Sequence, residues 1–193
     1  AWRFPGLASK DFEVLQVVSQ VLYNGKAGLI DLDLNQQQKV LNSYGYPMGL
    51  ADYSAFILGG LPKQGQTLEE VKDLLLNEIK KLRAGEFDEK MLQANINNFK
   101  LYQMQQLENN DARADMFVQS FVNGSDWADE VTALNRMSKL TKNDIVAFAN
   151  KYLKDDNYAV IYKRQGKDPN EKKIDKPKIT PIVMNRDSSS LFL

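Results

Sequence analysis

Carboxylates are the first candidates for chemistry in this chain of 193 residues, because it contains no His and no Cys. Protein zinc sites are built mostly from His nitrogen and Cys thiolate. Ser–His and Cys–His nucleophiles need the same residues, and a disulfide needs two Cys. A site made of carboxylates alone suits calcium, magnesium or manganese better than zinc. The sequence therefore predicts that this chain holds no zinc and no nucleophile of those kinds.

Three stretches could still form a site, and each has a simpler structural interpretation. Asp31 and Asp33 in "LIDLDLN" supply too few oxygens for calcium, so we interpret them as part of a solvated loop. The acids of "EFDEK" precede a predicted helix, whose N-terminus they would stabilise. Gly59 and Gly60 lack the spacing of a phosphate loop and precede Pro62, which favours a turn at a strand end. We assign no catalytic, cofactor-binding or metal-binding residue.

Composition indicates an ordinary globular domain. Apolar residues make up 43% of the chain, and 25 basic residues balance 25 acidic ones. This balance argues against a nucleic-acid partner, and no apolar run approaches the roughly 20 residues of a membrane helix. We expect a soluble domain without a membrane partner, in either the periplasm or the cytoplasm.

Hydrophobic periodicity and capping residues predict an α+β domain with an antiparallel-rich sheet and helices packed on one face. Pro47 places one strand at an edge or a bulge. Capping boxes at Thr67 and Thr141 begin two of the helices. The predicted strands are Ala1–Phe4, Tyr44–Leu50, Ser54–Gly60 and Asn157–Tyr162, and the predicted helices are Ser9–Tyr23, Thr67–Ala84, Asp88–Asn110, Ala112–Val122, Asp126–Met137 and Thr141–Leu153, with a further helical turn or two near Leu32.

The long helix after Asp88 leaves two alternatives for its second half, "NNFKLYQMQQLENN". Its aromatic, Met and Gln side chains could form a surface for a partner. We instead place Phe99 and Met104 in the core, behind Leu92 and Ile96, with Tyr102 as a further candidate.

Several stretches, in this order, resemble a non-catalytic domain of the pitrilysin/insulinase family of zinc peptidases, in a bacterial member. They are "WRFPGLASKDFEVLQVVSQVLYNG", the aromatic strand pair, "GGLPKQGQTLEEVKDLLLNEIKKLRAGEFDEKMLQ" and "LTKNDIVAFANKYLKDDNYAVIYKR". The resemblance implies the fold shared by the metalloenzyme LuxS and these peptidases. The resemblance covers nearly the whole chain. It rests on the order of these stretches, because each stretch alone is only a loose hydrophobic pattern.

The resemblance also implies that different domains of the peptidase have different functions. Family members carry zinc on a first domain through H-x-x-E-H and a distal Glu, while later copies lack the motif and close a chamber around the peptide. Here the corresponding helix has Lys10, Asp11, Phe12 and Glu13. Some later copies bind substrate with an Arg and a Tyr. In this sequence Asn35 and Asn42 stand at those positions, and Tyr44 and Tyr46 are out of register. We therefore do not assign this substrate-binding role to residues of this chain.

The resemblance implies a chain that is not an enzyme alone, forming a wall of the chamber in a zinc peptidase. Its partners would be the catalytic domain of the same polypeptide, which would carry the zinc, and a peptide substrate. We expect residues 1–163 to form this domain, 164–193 to form a linker toward the next domain, and the opening strand to begin a second domain of a longer peptidase. The alternative is a stand-alone interaction domain of the same fold, which would bind peptides by strand addition to the first strand or to the Pro47 strand.

Overall fold

A three-stranded antiparallel sheet organises the fold, which we describe from a computed structural model of residues 1–166 and 174–181. Strands β1 (Trp2–Pro5) and β2 (Asn42–Met48) flank the central strand β3 (Tyr53–Leu61). Trp2 pairs with Phe56, and Tyr46 pairs with Ile57. The Pro47 strand is therefore an edge strand of this sheet, as predicted.

The described part of the chain has six α-helices, of which three make the main contacts with the sheet, and the α+β prediction is confirmed. The six helices are α1 (Lys10–Leu22), α2 (Leu68–Ala84), α3 (Glu89–Leu107), α4 (Asn110–Asn123), α5 (Trp127–Met137) and α6 (Lys142–Tyr152). A π-helical turn, Asp31–Asn35, follows α1 and supplies the helical turn expected there. Contacts group Ala1–Ile161 into one compact unit and place the chain from Tyr162 onward in a second. The linker assignment of 164–193 stays a prediction, because residues 167–173 and 182–193 lie outside the described part.

Local chemistry fixes the helix ends where the sequence indicates them. The Ser9 side chain caps α1 by accepting from the Phe12 N–H. Thr67 and Thr141 form the predicted capping boxes at α2 and α6, and Asp88 caps α3. A capping side chain satisfies backbone N–H groups that have no partner within the helix, so each of these residues sets a start point.

Helix α1 lies at the centre of the core. It contacts all three strands and also α2, α3, α5 and α6. Leu15, Val18 and Leu22 are fully buried, and so is Phe56 on the inner face of β3. Gly60 on the same face leaves room for Val71 of α2, since a Cβ there would stand 2.4 Å from the Val71 Cγ1. The sheet is therefore covered closely on one side.

The predicted last strand, Asn157–Tyr162, is wrong for the described residues. Only Tyr158 forms a bridge, to Trp2, and Ala1 and Ala159 exchange two backbone hydrogen bonds of 2.9 Å. Residues 160 and 161 pair with no described strand, and Ile161 is 92% exposed. Apolar alternation alone cannot make a strand without a neighbour to bond.

The second half of α3 also departs from the prediction. Leu92 and Ile96 are buried and Phe99 is half-buried, as expected, but Tyr102 and Met104 are 61% and 66% exposed. Helix α3 contacts α1 with its first turns and then extends beyond it, where α4 and α5 lie alongside. The hydrophobic pattern continues past the point at which the core ends.

A polar link joins the π-helical turn to α2. The Lys81 ammonium donates to Asp33 at 2.6 Å and to the Glu78 carboxylate at 2.9 Å. This bond lowers the pKa of Asp33, whereas burial raises the pKa of Glu78 despite the same ammonium. Glu78 is almost wholly buried, so its charged form loses more hydration than Lys81 returns.

We expect Glu78→Gln to change the pH dependence of stability. A carboxyl whose folded-state pKa is raised stabilises the fold fully below its unfolded-state pKa, near the ordinary 4.5, and loses that contribution as pH rises through the folded-state value. The unfolding free energy of E78Q minus that of the wild type should therefore rise as pH increases from below the ordinary pKa of 4.5. Urea unfolding of this chain at each pH measures the difference.

The matched control is Glu86→Gln, which removes one carboxylate at an exposed position. A difference for E78Q that stays constant, or that falls as pH rises, would contradict the account of Glu78.

Candidate functional site

The stretch of α1 that corresponds to the zinc-binding motif is used for packing. Phe12 is 5% exposed and points into the core beside the fully buried Leu15 and Val18. The polar residues of the same turn bind other helices: Lys10 pairs with Asp129, Asp11 with Lys151 and Tyr152, and Glu13 with Arg136. This helix anchors α5 and α6 and presents no ligand set.

The acidic pair of the π-helical turn is divided between two structural roles, so the prediction of a solvated loop is wrong. Asp31 is buried and accepts from the backbone N–H groups of Asn24 at 3.0 Å and Gly28 at 2.9 Å. Asp33 faces Lys81 instead. Within residues 1–166 and 174–181, no three His, Cys, Asp or Glu side chains converge on a point where a metal could bind.

The outer face of the sheet, which the helices leave uncovered, is the candidate functional surface. Because side chains alternate along a strand, the residues opposite one another on this side share one surface. We call it the open face and define it as Arg3, Tyr44, Tyr46, Met48, Tyr53 and Ile57. Tyr46, Met48 and Tyr53 are between 41% and 55% exposed. The open face is therefore largely aromatic and accessible.

A glycine positions the first aromatic ring of the open face. A Cβ on Gly59 would lie 2.3 Å from the Tyr44 ring, so the ring lies flat across the neighbouring strand. Tyr44 in turn stacks on Tyr46, with ring centroids 6.1 Å apart and an interplanar angle of 20°. Side chains larger than Gly at position 59 would lift Tyr44 from the sheet.

One cation completes the open face. The Arg3 guanidinium lies 3.6 Å above the centroid of the Tyr53 ring, a close cation–π contact. Arg3 is also the only charged residue in the three strands. A surface of rings, one thioether and one guanidinium can hold apolar or acidic side chains, and it offers no general base and no nucleophile.

The free edge of β2 is closed at one end by Asn35. Its side-chain amide donates to the Ser43 carbonyl at 2.8 Å, and its carbonyl oxygen accepts from the Ser43 N–H and hydroxyl, each at 2.8 Å. In an antiparallel strand both backbone groups of one residue point the same way. The N–H and C=O groups of Ser43 therefore point away from β3. The Asn35 side chain bonds to both of them, as a neighbouring strand would.

Pro47 restricts the other end of the same edge. Gly45 and Pro47 follow Ser43 at intervals of two, so their backbone groups also face outward. Pro47 has no N–H to donate. Among residues 43–47 this leaves only the Gly45 pair and the Pro47 carbonyl for an added strand. A peptide could form few ladder hydrogen bonds here.

The glycine pair is placed differently from the prediction. Gly59 and Gly60 lie inside β3, paired with Tyr44 and Ser43, and the strand continues to Leu61. They serve packing on opposite faces of the sheet, Tyr44 outside and Val71 inside. The predicted strand-end turn is wrong.

A comparison with models of protein families identifies the family of this chain. The model of the peptidase M16 inactive domain matches residues 1–99, just over half of the sequence. The chain belongs to the peptidase M16 inactive-domain family. The resemblance to non-catalytic pitrilysin/insulinase domains is thereby confirmed, and no curated protein matches the chain.

Solved structures share the fold of this M16 inactive domain. A protease from Helicobacter pylori aligns with a TM-score of 0.71 at 25% identity, covering 80% of this chain and 37% of that one. A Bordetella parapertussis domain, described as the inactive peptidase domain of a predicted zinc protease, aligns with a TM-score of 0.70 at 17% identity, covering 81% and 85% of the two chains. This chain thus spans little more than a third of the Helicobacter protein.

The two positions at which some family members carry Arg and Tyr hold side chains with other roles here. Asn35 is engaged with Ser43, and Asn42 is exposed at the start of β2. In the described part of this M16 inactive domain, no helix combines the length and the apolar character that crossing a membrane requires.

We expect Asn35→Ala to destabilise the chain by about 2–3 kcal/mol, because it leaves the N–H, C=O and hydroxyl of the buried Ser43 without their partner. Asn42→Ala, at an exposed position in the same segment, should stay within about 0.5 kcal/mol of the wild type. Urea unfolding with an unchanged m-value measures both. Equal effects of the two substitutions would show that the Asn35 contact does not stabilise the edge.

Proposed function

We propose that this M16 inactive domain is the non-catalytic part of a zinc-dependent endopeptidase and that its open face forms a wall of the substrate chamber. The zinc and the reacting groups lie in a catalytic domain elsewhere in the parent polypeptide. The residues described above fit this role, because the helix that would bear the metal ligands is packed into the core and the aromatic surface is accessible.

The aromatic character of the open face is the observation that supports the proposal. Tyr46 and Tyr53 are near 50% exposed although they belong to paired strands of the sheet. Tyr rings supply a large apolar area with few rotatable bonds, so a peptide can bind them at a small entropy cost. Contacts of this kind tolerate many sequences, because they do not depend on one side-chain hydrogen bond.

The contribution of such a wall to hydrolysis is positioning. A peptide held along the open face has fewer orientations to lose when its scissile bond reaches the zinc of the catalytic domain. Arg3 adds attraction for acidic side chains or for a C-terminal carboxylate. No proton transfer or covalent step is assigned to this chain.

The alternative function, a stand-alone domain that binds peptides by strand addition, has less support. Asn35 occupies the outward groups of Ser43, and Pro47 lacks an N–H, so the β2 edge offers few backbone partners. At the other edge, Ala1 is already bonded to Ala159. Both candidate edges are thus partly blocked, whereas the open face is accessible.

We expect the double substitution Tyr46→Ser and Tyr53→Ser in the parent peptidase to raise KM for a fluorogenic peptide roughly ten-fold, with a smaller change in kcat. The reason is that about 1–2 kcal/mol of apolar contact is lost, and this contact is made equally in the ground and transition states. Steady-state kinetics measures the effect.

Two controls accompany this measurement. Lys80→Ser, on the exposed side of α2, should leave KM unchanged. This chain alone, titrated with Zn²⁺ by calorimetry and assayed with the same peptide, should show neither micromolar zinc binding nor cleavage. An unchanged KM in the double variant would overturn the chamber-wall proposal, and metal-dependent cleavage by this chain alone would overturn its non-catalytic assignment.

A further inference from the structure

Helix α4 carries an apolar stripe that the fold does not cover. Ala114, Phe117, Val118, Phe121 and Val122 recur at the i, i+3, i+4, i+7 and i+8 spacing of one helix face. All five are exposed, with Phe121 at 87% and Val122 at 65%. We call this set the α4 stripe. Amphipathic helices of globular proteins normally bury such a stripe.

The other face of α4 accounts for its packing within the domain. Ser120, the one buried residue of the helix, bonds to Ser125, and the helix packs mainly on α3 and α5. Of the α4 stripe, Phe117 also contributes to this packing, because its ring stacks on Trp127 of α5. Helix α3 has exposed apolar residues of its own, Leu101, Tyr102 and Met104.

A groove beside the α4 stripe gives this surface a shape. It holds about 250 Å³ between α3, α4 and α5. Phe117, from the α4 stripe, and Trp127, from α5, stack in it with ring centroids 4.1 Å apart, and Arg113 is the only charged residue among those lining it. That volume is below the usual range for small-ligand sites and suits one or two protein side chains.

We propose that the α4 stripe and its groove are the surface on which the catalytic domain of the same polypeptide docks. The proposal rests on the proposed function, since it takes that domain as the partner. Contiguous apolar surfaces of this kind mark interaction sites, and permanent interfaces are more apolar than transient ones, which resemble ordinary protein surface. A nearly fully exposed Phe121 beside Val122 therefore favours a permanent neighbour over a passing substrate.

The length of a solved relative supports the catalytic domain as this neighbour. The Helicobacter pylori protease contains a counterpart of this chain in 37% of its length, so well over half of that polypeptide is further protein. A domain joined by a linker is present at high effective concentration and needs no second binding partner to find it. An apolar, almost uncharged surface suits such a tethered partner, which does not need electrostatic steering to associate.

Side-chain footprinting of Phe121 and Val122 tests the proposal, with a photoactivated carbene reagent applied to this chain and to the intact parent. We expect a several-fold loss of labelling at both residues in the parent, while Leu41, which is exposed outside the α4 stripe, serves as the reference. Equal labelling in the two proteins would overturn the proposal. So would protection that appears only when peptide is added, because that result assigns the stripe to substrate.

A pair of variants separates this surface from the open face. Phe121→Ser should lower the thermal unfolding midpoint of the parent by several degrees and leave that of this chain unchanged, whereas Tyr46→Ser should affect KM without lowering the parent midpoint. If F121S has no effect on the parent while Y46S raises KM, docking through α4 is wrong and the proposed function stands. If this chain alone forms a dimer that F121S dissociates, the stripe belongs to a second copy and the proposal is overturned.

Discussion

The burial of α1 against the inner face of the sheet is the interaction on which the rest of the structure depends. Leu15, Val18 and Leu22 have no exposed surface, and α1 contacts all three strands and four other helices. Burying an aliphatic side chain of this size contributes about 1.5–3 kcal/mol, so each of these positions adds substantially to the stability of the core. No polar metal ligand could occupy them without losing that contribution.

This packing has two consequences for function. The positions of α1 that correspond to the zinc-binding motif are used for core packing and for contacts with α5 and α6, in agreement with the inactive-domain family of the chain. Covering one face of the sheet with α1, α2 and α6 also leaves the opposite face to the aromatic residues of the open face. The same packing therefore determines which face of the sheet stays accessible.

The edge of the sheet is protected by side chains rather than by another strand. Exposed strand edges recruit other chains, and proteins block them with Pro or with covering groups. Asn35 bonds both outward groups of Ser43, and Pro47 removes one further donor. This protection limits ladder pairing between the β2 edge and another chain.

Much of the fold could be predicted from sequence, because local chemistry decides it. Ser9, Thr67, Asp88 and Thr141 cap the predicted helices, and Pro47 lies on an edge strand. Apolar periodicity failed where burial depends on distant neighbours. It placed Tyr102 and Met104 in a core that ends before them, and it gave 157–162 a strand without a partner.

The candidate site was largely missed for a similar reason. The period-two alternation of β2 and β3 could have indicated the open face, but the cross-strand register that places the Tyr44 ring over Gly59 and Arg3 over Tyr53 cannot be derived from one sequence. The structural role of Asp31 could not be predicted from the sequence either. Its partners are two backbone N–H groups, which leave no signature in the side-chain pattern.

The central claim is that peptide substrates lie against the open face, and site-specific photo-crosslinking in the parent peptidase tests it most directly. A benzophenone amino acid would replace Tyr46 on the open face or, as the matched position, Lys80 on the exposed side of α2. A radiolabelled peptide substrate should crosslink to position 46, compete with excess unlabelled peptide, and give no adduct at position 80. Equal crosslinking at the two positions, or none at position 46 while the enzyme cleaves the same peptide, would contradict the account.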